Sequence, residues 1–93
     1  MSIVVRFTAK PSMTSEMYDE SVRRIQESGD WPPDGMDYHV AFTSGGSFRV
    51  SEIWDSREQL EAFGERLMPL LAEVGIELAS EPEILEVHNI MKR

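Results

Sequence analysis

An imidazole and a carboxylate, two groups that move protons near neutral pH, fall where a hairpin can bring them together: His39 and Glu52. Between them lies Ser44-Gly45-Gly46-Ser47, which reads as a tight turn because glycine tolerates the positive φ of primed hairpins. Pairing Ser44 with Ser47 and counting outward sets His39 opposite Glu52. Side chains alternate along strands, so Phe48, Val50 and Trp54 share that face. A carboxylate and an imidazole on a mostly apolar face are costly unless paired. Paired, they can transfer a proton, the carboxylate holding charge and fixing the tautomer. His39 and Glu52 are therefore the candidate catalytic residues, and Trp54 the candidate surface on which a flat substrate stacks. Tyr18 and Arg6 are further candidates for substrate binding. Arg6 depends on the parity of its strand, which two apolar faces leave open. The competing reading is a structural pair near a sheet edge, since many ion pairs serve only structure. A one-residue slip of the hairpin would separate the two groups.

The elements that must position these residues follow from pattern. Ile3 to Thr8 is β-branched and aromatic, and reads as a strand partly buried on both faces. Lys10-Pro11-Ser12 ends it. Thr14 or Ser15 can cap a helix that carries Tyr18, Val22 and Ile25 on one face and stops at Gly29. Asp30 to Gly35 is a loop with two prolines, in which Trp31 plugs the end of the core or lids a pocket. Met36 to Thr43 is a second strand with Tyr38, Val40 and Phe42 on one face, and Ser47 to Trp54 is a third. Ser56-Arg57-Glu58-Gln59 fits a capping box that opens a second helix. Leu60, Phe63, Leu67, Leu70, Leu71 and Val74 form its apolar stripe. Pro69, inside the stripe, is expected to kink or split it. A last strand is expected from Ile84 to Ile90.

This order, β-α-β-β-α-β, is the ferredoxin-like α+β pattern: a four-stranded antiparallel sheet with both helices on one face. The other face, with Tyr38, Val40, Phe42 and Ile53, would be left bare. A patch of that kind associates, and two sheets closing face to face predict a homodimeric α+β barrel.

The chain has 93 residues and is expected to form a single domain over 1–93. With 17 Asp plus Glu against 9 Lys plus Arg, its formal net charge is −8. That field repels a phosphate backbone, which argues against nucleic acid and anionic membrane partners. The Arg23-Arg24 pair reads as a solvated helix face. No apolar run approaches the ~18 residues of a membrane span, and Met1 to Arg6 lacks the basic region of a signal peptide. There are no cysteines, so no disulfide or thiol chemistry is expected. The expected location is cytoplasmic.

The joint Val50-Ser51-Glu52-Ile53-Trp54-Asp55-Ser56-Arg57-Glu58-Gln59-Leu60 resembles that of the antibiotic-biosynthesis-monooxygenase-like proteins of the dimeric α+β barrel superfamily. In that family a Glu-x-Trp ends the third strand and an acidic-Ser-x-Glu start opens the second helix. The resemblance implies a ferredoxin-like protomer, a barrel dimer, and a cofactor-independent enzyme acting on a small aromatic or polyketide-like molecule. Members without assigned activity share the pattern, so a non-catalytic ligand-binding or accessory barrel is the alternative. Haem-degrading relatives use a first-strand asparagine, the strand-end tryptophan and a histidine on the second helix. Here Trp54 matches, the single asparagine is Asn89, and residues 56–75 hold no histidine, so haem is not expected. In cofactor-free quinone-forming relatives, likewise, only the tryptophan carries over.

No cofactor and no metal are expected. His39 and His88 would lie on opposite edges of the sheet, roughly 14 Å apart by strand spacing, beyond the reach of shared ligation. No nucleophilic triad spacing or phosphate-binding glycine loop is present.

Overall fold

The structure, a computed structural model, describes residues 2–93. Its elements are β1 (Ile3–Thr8), α1 (Ser15–Glu27), β2 (Met36–Ser44), β3 (Ser47–Trp54), α2 (Arg57–Val74) and β4 (Glu83–Glu86). The sheet is antiparallel, in the order β2-β3-β1-β4. This is the ferredoxin-like α+β arrangement expected from the sequence.

Local chemistry sets each boundary. Thr14 Oγ1 accepts the Met17 amide N–H at 3.1 Å and caps α1, satisfying a donor that the first helical turn leaves free. Ser56 Oγ does the same for α2 from Gln59 N–H at 3.3 Å. Gly45 and Gly46, at φ 60° and 80°, make the hairpin turn, the left-handed geometry that L side chains resist. The resulting register pairs Ser44 with Ser47 and His39 with Glu52. At the far end a shift between Met36 and Tyr38 bulges β2, so Met36 lies on the core side while Tyr38 turns outward.

One expectation is narrowed and another corrected. α2 does not split: it runs unbroken from Arg57 to Val74 with Pro69 inside. Proline deprives the carbonyl four residues back of its donor, but Pro69 and Glu65 are both exposed, so water can satisfy that carbonyl. β4 is shorter than expected, ending at Glu86 rather than Ile90. Its partner β1 begins at Ile3, opposite Glu86, and beyond that point, among the described residues, Val87 N–H reaches across to Ser2 O at 3.1 Å.

The core lies between the sheet and the helices. Val5 and Trp54 are wholly buried there, packed with Ile3, Ile25 and Phe63. Burying an apolar side chain of Val or Phe size is worth roughly 1.5–3 kcal/mol, so this cluster anchors both helices. On the other face Tyr38, Ile53, Val4 and Leu85 line up across the four strands. Tyr38, Val40, Phe42 and Leu85 of that face are exposed.

Candidate functional site

The expected pair meets on the helix-facing side of the sheet, beside its β2 edge. His39 Nδ1 lies 2.7 Å from Glu52 Oε2. The other carboxylate oxygen, Oε1, accepts the Trp54 indole N–H at 3.0 Å. On the far side of the imidazole, Tyr18 Oη lies 2.7 Å from His39 Nε2. A chain of hydrogen bonds thus runs from Trp54 through Glu52 and His39 to Tyr18.

The donor inventory orders this chain. An indole nitrogen only donates, and a carboxylate only accepts. With Glu52 ionised, His39 must therefore present N–H at Nδ1, which leaves Nε2 as the acceptor for the Tyr18 hydroxyl in the neutral ring. Burial, and secondarily the charges of Glu52 and Asp19, raise the Tyr18 pKa above its ordinary 10.0. Tyr18, a proton donor at neutral pH as any phenol is, therefore keeps its proton to higher pH than a free one. Glu52 is buried, with 5% of its surface exposed, and the His39 side chain is 20% exposed. A carboxylate this deep is tolerable because two donors satisfy it.

The chain opens on a cavity of about 100 Å³ between the sheet and both helices. Tyr18, His39 and Glu52 line it together with Trp31, Phe48, Val50, Phe63, Leu67, Met68 and other apolar side chains. Phe48 stacks on Tyr18 with ring centroids 5.1 Å apart. Trp31 meets the His39 ring edge-on at 5.4 Å, a favoured aromatic geometry. The imidazole thus has the Trp31 ring against it and its Nε2 toward Tyr18.

Tyr18 falls where the sequence suggests, one turn before Val22 and Ile25 on the same face of α1, both of which also line the cavity. Two candidates fall elsewhere. Arg6 pairs with Ser51 on β3, and cross-strand partners share a face. Its side chain therefore points to the outer face of the sheet, away from Glu52, whose β1 partner is Val5. Trp54 shares the face of Glu52 but is wholly buried and packs against Phe63 at 5.7 Å. It does not line the cavity, so no substrate can stack on it there. Its contribution is to hold Glu52. Trp31, for which the sequence leaves open a plug over the core end or a lid beside a pocket, lines the cavity.

No protein-family model matches the chain, and no curated protein matches it in sequence. Solved structures match in fold. SnoaB from Streptomyces nogalater, described as a cofactor-independent oxygenase, aligns over 99% of this chain and 96% of its own, with 13% identity and a TM-score of 0.62. A protein from Deinococcus radiodurans, provisionally assigned as an antibiotic biosynthesis monooxygenase, aligns over 100% and 98%, with 13% identity and a TM-score of 0.60. A de novo designed protein, Foldit4, aligns over 95% and 100%, with 16% identity and a TM-score of 0.61. The chain thus shares its fold with antibiotic-biosynthesis-monooxygenase-like proteins. A designed protein matches equally well, so the likeness establishes architecture, and function has to be argued from the site.

Among the described residues, no helix is long and apolar enough to cross a membrane, and no group of three or more His, Asp or Glu side chains is placed to hold a metal ion.

Proposed function

We propose that this protein is a cofactor-independent monooxygenase-like enzyme acting on a compact aromatic molecule bound between the sheet and the helices. The observation that carries the reading is the Tyr18–His39–Glu52 chain, with links of 2.7 Å and 2.7 Å, lining an apolar cavity. His39 Nε2 is the base, Glu52 stabilises the imidazolium that forms, and Tyr18 relays or donates the proton. Positioned proton transfer of this kind contributes about 10²–10⁴-fold in rate.

Removing the hydroxyl proton of an electron-rich hydroxyarene leaves an anion able to give electrons to dioxygen. For resorcinol the balance is one substrate and one dioxygen giving hydroxybenzoquinone and one water. One oxygen atom becomes the new carbonyl at the ring carbon para to a hydroxyl. The other leaves as water with the ring hydrogen and the hydroxyl hydrogen. The substrate is oxidised and dioxygen reduced, so no cofactor has to supply electrons. The description of SnoaB as a cofactor-independent oxygenase supports this chemistry in the same fold.

The outer face of the sheet belongs to the same proposal. Its exposed Tyr38, Val40, Phe42 and Leu85 suit a second copy of the chain closing a barrel, since apolar side chains gathered on one open sheet face favour association.

The test is turnover of resorcinol under labelled dioxygen. The reading requires one label in the quinone and one in water, with uptake and quinone formation in equal amounts. Ligand binding without any turnover across electron-rich hydroxyarenes would instead favour a non-catalytic binding barrel.

A further inference from the structure

The charge and size of the cavity constrain its ligand more narrowly than the reaction does. The ionisable side chains lining it are Tyr18, His39 and Glu52, and among the described residues no Lys or Arg lines it. Tyr18 is a neutral phenol, and burial raises its pKa further above the ordinary 10.0. Any charge on His39 is met by Glu52 at 2.7 Å. A ligand carboxylate would therefore give up its hydration without gaining a free cation, and would sit near a buried carboxylate. Burying an unpaired charge of this sort is prohibitive. A neutral hydroxyl meets the opposite situation. The junction of Tyr18 Oη and His39 Nε2 offers it one donor and one acceptor, and both can be satisfied by a single O–H.

Size points the same way. An apolar cavity of roughly 150 Å³ holds a benzene ring; this one is about 100 Å³ and open on one side, so a single ring enters with its far edge at the mouth. A fused three-ring system carries more than twice the carbon atoms of a single ring. Trp31 and Phe48 provide flat surfaces beside the junction, while Met68, 51% exposed, marks where the cavity meets solvent.

We infer that the ligand is an uncharged, single-ring hydroxyarene whose hydroxyl inserts between Tyr18 Oη and His39 Nε2. This rests on the proposed use of the same relay, and it narrows the substrate from aromatic or polyketide-like molecules to monocyclic phenols without a carboxylate.

The experiment titrates isotope-labelled wild-type protein with p-cresol, p-toluate and anthrone, following the Trp31 indole N–H signal by nuclear magnetic resonance. Trp31→Phe identifies that signal. p-Cresol and p-toluate share ring and methyl group and differ in the head group. In p-cresol the para position is blocked, so binding is read apart from quinone formation. The expected result is a saturable shift with p-cresol, and binding of p-toluate and anthrone weaker by at least about tenfold, a difference of about 1.4 kcal/mol. Binding of p-toluate or anthrone as tight as that of p-cresol would overturn the inference, as would p-cresol leaving the Trp31 signal unmoved. The two proposals fail separately. If p-cresol binds and no hydroxyarene is oxidised, the catalytic reading falls and the ligand class stands. If anthrone is bound and oxidised, the ligand class falls and the catalysis stands.

Discussion

His39 lies directly across the β2–β3 ladder from Glu52, and its Nδ1 is 2.7 Å from Glu52 Oε2. Because Trp54 Nε1 donates to the other oxygen at 3.0 Å, one carboxylate serves two donors from two directions. Glu52→Leu keeps much of the volume and removes both acceptor oxygens, which leaves the buried Trp54 N–H without an acceptor. A buried donor left without an acceptor costs about 1–3 kcal/mol. A loss of that size is expected from urea denaturation. An unchanged midpoint would mean the two donors are not held by Glu52.

Ligand binding should be reported by Trp31 and not by Trp54. Trp31 lines the cavity, whereas Trp54 is wholly buried beneath it. The fluorescence change on adding p-cresol, excited at the red edge of indole absorption, should vanish in Trp31→Phe and survive in Trp54→Phe. The opposite pattern would place the ligand against Trp54 and contradict the cavity assignment.

The difference between these two tryptophans shows how far the sequence could be read. Strand parity and the Gly45-Gly46 turn were enough to bring His39 opposite Glu52, because a hairpin register is local. Helix spacing was enough to set the face of α1 that carries Tyr18, though not its hydrogen bond to His39. Trp54 was legible as to face but not as to depth: alternation says which side a ring points to, while its burial depends on how α2 packs over it. Arg6 was undecidable because Val4 and Val5 make both sides of β1 apolar, and only the long-range β1–β3 register assigns it to the outer face. Trp31 sits in a loop without periodicity, so its contact with His39 follows from tertiary packing alone. The end of β4 was missed for a similar reason. Strand propensity continues to Ile90, whereas the pairing of β4 with β1 ends at Glu86 opposite Ile3.

Tyr18 predicts a pH dependence. Its folded pKa is raised above 10.0, first by burial and then by the charges of Glu52 and Asp19. Above pH 10 the unfolded chain loses this proton while the folded chain keeps it, so the folded state binds more protons and stability falls as pH rises. Below pH 10 the contribution is complete and flat. The stability difference between wild type and Tyr18→Phe should therefore be constant from about pH 7 to about pH 9, and should move in favour of the Phe variant by about pH 11. A difference that stays constant to that pH would mean Tyr18 is not shielded from solvent.

The outer sheet face predicts assembly. Sedimentation at low micromolar concentration should give twice the 10.6 kDa chain mass. Phe42→Glu, which adds a charge at an exposed aromatic of that face, should shift the population to a folded monomer. A wild-type protein that remains monomeric and folded would contradict the barrel.

The central claim is that His39 takes a proton from the bound ligand. It is tested most directly by the initial rate of dioxygen uptake with resorcinol, compared between wild type and His39→Gln at equal folded concentration. The account predicts a loss of about 10²–10⁴-fold in the variant at saturating resorcinol. Uptake by His39→Gln at the wild-type rate, or none above buffer in the wild type, would contradict it.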